Sequence, residues 1–168
     1  MLATTDSTVP IIRRNIELPV SYESFTEKLE STLGQYDLPA IFAAKTADEM
    51  NNIVADNIRG QPFGIFGIQN HGYLLDLIGK PGKAKQYTIG DPRLAAQMTS
   101  QDLRTALYAP LTIIVYEVGG TAKVEYFTVQ SVFGQLGNAG IDALAATIEK
   151  KLSGMVEKLV AEISTVAT

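Results

Sequence analysis

Apolar and polar positions change period several times along this chain, and each change marks an element boundary. In "IIRRNIELPVS" (11–21), Ile16, Leu18 and Val20 alternate with polar or turn-forming neighbours, the period of a strand. The spacing then lengthens. Phe25, Leu29 and Leu33 recur every four residues, one face of a helix opened by the S-x-x-E pattern of Ser24 and Glu27 and closed by Gly34 and Pro39. "TADE" from Thr46 to Glu49 repeats the pattern ahead of a second stripe, Met50, Ile53, Val54 and Ile58, which Gly60 and Pro62 end. "FGIFGIQ" (63–69) reads as a strand, and its two glycines mark a bulge or a close backbone approach. "YLLDLIG" (73–79) has room for one or two helical turns.

In the second half, "AKQYTIG" (84–90) predicts a strand. Asp91-Pro92 predicts a helix start, with a capping carboxylate followed by proline at the first helical position. That helical stretch runs towards Tyr108, with a break near Thr99-Ser100, and Pro110 stops it. "LTIIVYEV" and "AKVEYFTV" flank Gly119-Gly120, so 111–129 predicts a β-hairpin. From Ile141 to about Ser164, Leu144, Ile148, Leu152, Met155, Leu159 and Ile163 step by three or four along one long helix. Gly154 interrupts its middle, at roughly 1 kcal/mol relative to Ala. Helices alternate with strands, yet the clearest strand pair is antiparallel. The expected fold is α+β: a mostly antiparallel sheet of about four to five strands with helices packed on one face. Residues 1–10 are small and polar, a flexible N-terminal arm ahead of a single domain over 11–168.

Composition narrows the function classes. The net charge of −4, from 14 basic and 18 acidic residues, offers no long-range attraction to nucleic acid or to an anionic membrane, so neither is an expected partner. Cysteine is absent, which excludes disulfides, thiolate nucleophiles, iron–sulfur clusters and thiolate zinc sites. No charged region followed by an apolar one opens the chain, and no apolar run reaches membrane-spanning length. These features fit a cytoplasmic protein.

No dinucleotide fingerprint, phosphate loop, zincin helix or nucleophile elbow is present. Nothing stands at metal-ligand spacing, so no metal and no cofactor is expected; a lone histidine could be an axial haem ligand, but no other feature argues for haem. That histidine, His71, lies in "GIQNHGYLLDLIGK" and has two readings. It ends a strand on the same side as Gln69, at the mouth of a site, or it sits in an ordinary Asn70-His71-Gly72 turn. Tyr126 alternates with Val124 and Thr128 and faces either the core or a cavity beneath the helices. Asp91 is explained by capping, and Asp102, in "TSQD", reads as the cap of a second helical start.

The order of "IQNHGYLLDLIGK" (68–80), "YTIGDPRLAAQM" (87–98), "QDLRTALYAPLTIIVYE" (101–117) and "KVEYFTV" resembles the family called domain of unknown function 302, in its fungal and bacterial branch, over about residues 15–160. The resemblance implies a curved antiparallel sheet covered by helices, and homodimers, but no general reaction. It sets His71 on the histidine of an Asn/Asp-His motif and so implies a functional role there. Asp91 stands where the family usually has Asn, and Gln86 where many relatives carry a basic residue. The expectation is therefore a small-molecule site with His71 as general acid or base and Asn70, Tyr73, Asp91, Asp102 and Tyr126 around the ligand. Its chemistry would be metal-free proton transfer of the isomerase, lyase or cyclase type. The rival is a non-catalytic ligand-binding or dimeric interaction protein in which His71 only lines the pocket.

Overall fold

The computed structural model describes residues 2–166. Five strands form one open antiparallel sheet: β1 (Arg13–Glu17), β2 (Gly64–Asn70), β3 (Ala84–Gly90), β4 (Leu111–Val118) and β5 (Thr121–Phe127), in the order β1-β5-β4-β3-β2. Seven α-helices accompany them among the described residues: α1 (Tyr22–Thr32), α2 (Leu38–Ala43), α3 (Ala47–Ile58), α4 (His71–Leu77), α5 (Pro92–Thr99), α6 (Val129–Gly134) and α7 (Ala139–Val166). The fold is α+β, as the alternating periods predict.

The hairpin of β4 and β5 turns at Gly119 and Gly120, whose φ of 60° and 79° suit residues without a Cβ. Strand register sets which side chains face the helices. Ile113 pairs with Tyr126 and Val115 with Val124, so all four share the inner face, with Tyr87 opposite Ile113. Against that face pack Phe25 and Leu29 of α1 and Ile148, Leu152 and Leu159 of α7. A smaller cluster of Tyr36, Val54 and Ile58 sits apart from it. The other face of the sheet is polar: Asn15 donates to the Tyr116 hydroxyl at 2.8 Å and to Glu125 at 2.6 Å, and Lys123 pairs with Glu17 at 2.9 Å.

Three local expectations are corrected. Ser21, not Ser24, caps α1, accepting from the Ser24 backbone N–H at 3.1 Å; Tyr22 is part of the buried stripe, so the helix begins one turn before the S-x-x-E pattern. Pro39 does not close α1 but stands in the first turn of α2, behind the Asp37 cap. Helix α2 has no buried residue and thus no apolar period to read. Residues 128–129, read as strand, instead open α6, which buries Val129 and Phe133. At Thr46 the N-cap accepts from Glu49 as expected, but the Glu49 carboxylate reaches the Lys45 N–H at 2.7 Å.

Two features mark the sheet's rims. On edge strand β1, Arg14 stands beside Tyr126 on the inner face and its guanidinium pairs with Glu149 of α7. At β2, Gln35 forms an isolated parallel bridge to Ile65, with Ile65 N–H donating to Gly34 and Tyr36 N–H to Ile65. Gly34 cannot carry a side chain there, because a Cβ would lie 1.6 Å from the Asn57 carbonyl oxygen.

Candidate functional site

The residues expected around one ligand lie in different places. Asn70 ends β2 and its side-chain oxygen accepts from the Tyr73 N–H at 3.1 Å, which starts α4. His71 is the first residue of that helix, half-buried, and its imidazole has no hydrogen-bond partner among the described residues. Tyr73 points outward, 59% exposed. Tyr126 lies on β5, and β4 and β3 separate it from β2. The structure therefore does not bring Tyr126 to Asn70 and His71, correcting the shared concavity expected from the strand pattern. Strand order is the cause: β2 and β5 belong to one sheet but not to adjacent positions in it.

Asp91 and Asp102 repeat one device. Asp91 caps α5, and Arg93 returns to it through the backbone N–H at 2.9 Å, Nε at 2.9 Å and Nη2 at 2.7 Å. Burial pushes the Asp91 carboxyl up, but the hydrogen bonds and charge of Arg93 outweigh it and hold it below the usual carboxylate range. Asp102 caps the 3₁₀ turn Leu103–Leu107 and holds Arg104 in the same way, with Nη2 at 2.6 Å. Its carboxyl is lowered first by the Arg104 side chain. Both capping readings hold.

Two cavities flank Pro110. The first, of about 340 Å³, has Phe63, just ahead of β2, and Phe66 of β2 on one side, Leu94 and Met98 of α5 on another, and Phe133 and Ile148 among its other lining residues. Its polar members are few. Asp91 is taken up by Arg93, and Thr99 accepts from the Thr105 hydroxyl at 3.1 Å. The second, of about 410 Å³, lies between Tyr126, Val129 and Leu152 on one side and Ile11 and Leu107 on the other. Pro110 and Leu111 line both, so the cavities share a wall, and Tyr108 on the second side meets Phe133 on the first edge-on at 5.9 Å. Phe42 at the first cavity and Leu107 at the second are 82% and 77% exposed, giving both an apolar rim. Asp91 and Tyr126 are the expected site residues that line these cavities; Asn70, His71, Tyr73 and Asp102 line neither.

The Tyr126 hydroxyl is buried without a well-formed hydrogen bond among the described residues. Burial pushes its phenol up, against the pull of the neighbouring Arg14 guanidinium. Glu149, on the far side of Arg14, also accepts from the Val129 N–H and so fixes the start of α6 beside the second cavity. The first cavity has a comparable support that the sequence reading missed. Tyr36 lies over Gly64, its ring 4.7 Å from that of Phe66, and its hydroxyl donates to the Gly90 carbonyl at 2.9 Å. The available signal was a pair of glycines, Gly64 and Gly90, facing each other in register.

The family model described as "Domain of unknown function DUF302" matches residues 41–159. No curated protein matches the chain. Among solved structures, an uncharacterized conserved DUF302 protein from Bacillus stearothermophilus superposes with a TM-score of 0.65 at 17% identity, covering 88% of this chain and 97% of that one. At that identity the likeness concerns the fold.

Proposed function

Because the chain belongs to the family described as domain of unknown function DUF302, which prescribes no reaction, we propose a function from its cavities: it binds an apolar small molecule between the sheet and α5. One observation carries the reading. The first cavity has the size of a ligand pocket, and its walls are aromatic and aliphatic, with its carboxylate already neutralised. An occupant is held there by removal of apolar surface from water, at about 25 cal/mol per Å². The second cavity, with Tyr126, Val129 and Leu152 in its wall, extends the apolar surface beside Pro110.

The non-catalytic reading is favoured over acid–base chemistry at His71. A general base needs a partner to orient its imidazole and a substrate within reach, and the His71 ring has neither a hydrogen bond nor a place in the two cavity walls. The homodimer expected from the family resemblance belongs to the same proposal. The cytoplasmic location expected from the composition goes with it. Among the described residues no helix is long and apolar enough to cross a membrane.

The test uses a neutral apolar fluorophore, N-phenylnaphthylamine, titrated into the full chain. Saturable binding with enhanced emission is expected. Ala106 lines the first cavity at its exposed side, and Ala106→Trp should fill it and weaken binding by about tenfold or more, equivalent to about 1.4 kcal/mol. Binding that Ala106→Trp leaves unchanged would show the ligand to lie elsewhere.

A further inference from the structure

We propose that a third cavity, between α7 and the turn joining α3 to β2, is an anion site for a dianionic phosphate group, either inorganic or carried on a small ester. The cleft holds about 220 Å³. Lys150, Lys151 and Lys158 line its α7 side, and Thr32 and Gln61 line the other. No carboxylate is among its lining residues. Lys150 and Lys151 form no ion pair among the described residues. Lys158 reaches Glu162 only at 3.8 Å, and that carboxylate is already held by Lys28 at 2.7 Å. Asp91, which feels the charge of Lys151, is taken up by Arg93. In a chain of net charge −4, three exposed lysines thus line one concavity with no carboxylate in its wall.

The floor of the cleft supplies a second, independent observation. Gly154 stands in the middle of a 28-residue helix, where glycine weakens the helix relative to alanine. Its φ is not positive, and a Cβ built on it would meet nothing within 4 Å. Neither backbone conformation nor close packing therefore calls for glycine. What the missing side chain does is leave the space between the Lys151 and Lys158 turns open.

The donor set selects the ligand class. Lysines are compact point charges without the planar fork that matches a carboxylate, so three of them suit a tetrahedral dianion. The Thr32 hydroxyl and the Gln61 amide add neutral donors.

Calorimetric titration of the full chain with inorganic phosphate and with phenyl phosphate, at low ionic strength, tests the proposal. Saturable binding that weakens as salt is added is expected. Lys151→Gln and Lys158→Gln should each lower affinity by roughly five- to tenfold, and Gly154→Phe, which fills the floor, should lower it at least as far. Lys80→Gln, at an exposed lysine outside the cleft, should leave it unchanged. Thermal unfolding of each variant establishes that it is folded. Absence of saturable binding of both probes, or equal weakening by Lys80→Gln, overturns the site. Sedimentation with phosphatidylcholine vesicles containing phosphatidic acid separates the sources: cosedimentation that Lys151→Gln abolishes makes the phosphate a lipid headgroup, and binding of the soluble probes alone makes it a dissolved ligand. N-phenylnaphthylamine binding is read separately, so the phosphate site and the apolar cavity can fail independently.

Discussion

The Tyr36 hydroxyl donates to the Gly90 carbonyl oxygen at 2.9 Å and so ties the linker between α1 and α2 to the end of β3. Tyr36→Phe removes the donor and leaves that half-buried carbonyl unpaired beside the first cavity. Urea unfolding should show a loss of about 1 kcal/mol, reaching about 3 if no water replaces the bond. Gly64→Ala should cost about 1–3 kcal/mol, because the added Cβ would lie 2.5 Å from the same ring. An alanine at Gly64 without loss of stability would mean that the ring is free to shift.

Glu149 serves two donors from opposite sides, the Arg14 guanidinium and the Val129 N–H. Glu149→Leu orphans both. Only the Val129 N–H is buried, and a buried donor left unsatisfied costs about 1–3 kcal/mol, so the variant should lose about that much in chemical denaturation, while the exposed Arg14 finds water. Arg14→Met should cost less, because Glu149 keeps the backbone donor.

Asp91 contributes to stability in a pH-dependent way. Its carboxyl is held below the unfolded value by Arg93, so its contribution is present above about pH 3.9 and is lost as pH falls through the lower folded value. Asp91→Asn keeps a side chain that can cap α5 but gives up the ion pair. The midpoint of thermal unfolding should differ between wild type and Asp91→Asn at pH 7, and that difference should shrink below about pH 4. A difference that persists unchanged into strong acid would show that the pairing with Arg93 does not set it.

For His71, the prediction is negative and specific. His71→Ala should shift stability by no more than about 0.5 kcal/mol and leave N-phenylnaphthylamine affinity unchanged. Weakened binding with the fold intact would return His71 to the site.

Gly154→Ala should raise stability by about 0.5–1 kcal/mol, the helix-propensity difference alone, since a methyl group meets no neighbour. Thermal and urea unfolding both report it.

Much of the fold was legible where one element carries its own period. Strand β3, the glycine-turned hairpin and the long helix α7 each bury a stripe long enough to read. Helices α2 and α6, six residues each, are too short to show a period. The caps at Asp91 and Asp102 were readable because capping is local. The candidate site was not, because Phe63, Met98, Pro110 and Ile148 meet only through strand order and helix packing. The same ignorance of strand order grouped Tyr126 with His71. Tyr36 escaped notice because the sign of it is an absence, the lack of side chains at Gly64 and Gly90, whose use appears only when β2 and β3 are laid in register.

The rims of the sheet bear on how the protein avoids ordered polymerisation. An open sheet ends in two rows of unpaired backbone groups, each able to recruit a strand from a neighbouring molecule. On β1 the inward Arg14 is matched only by Glu149 of its own chain. A slipped pairing would turn that arginine outward, strand the carboxylate and disrupt the seed before it grew. On β2 the Gln35 bridge occupies the rim at Ile65. The ion pair at one border and the chain folded over the other act as stops that oppose strand recruitment at the edges of the sheet that shapes the cavities.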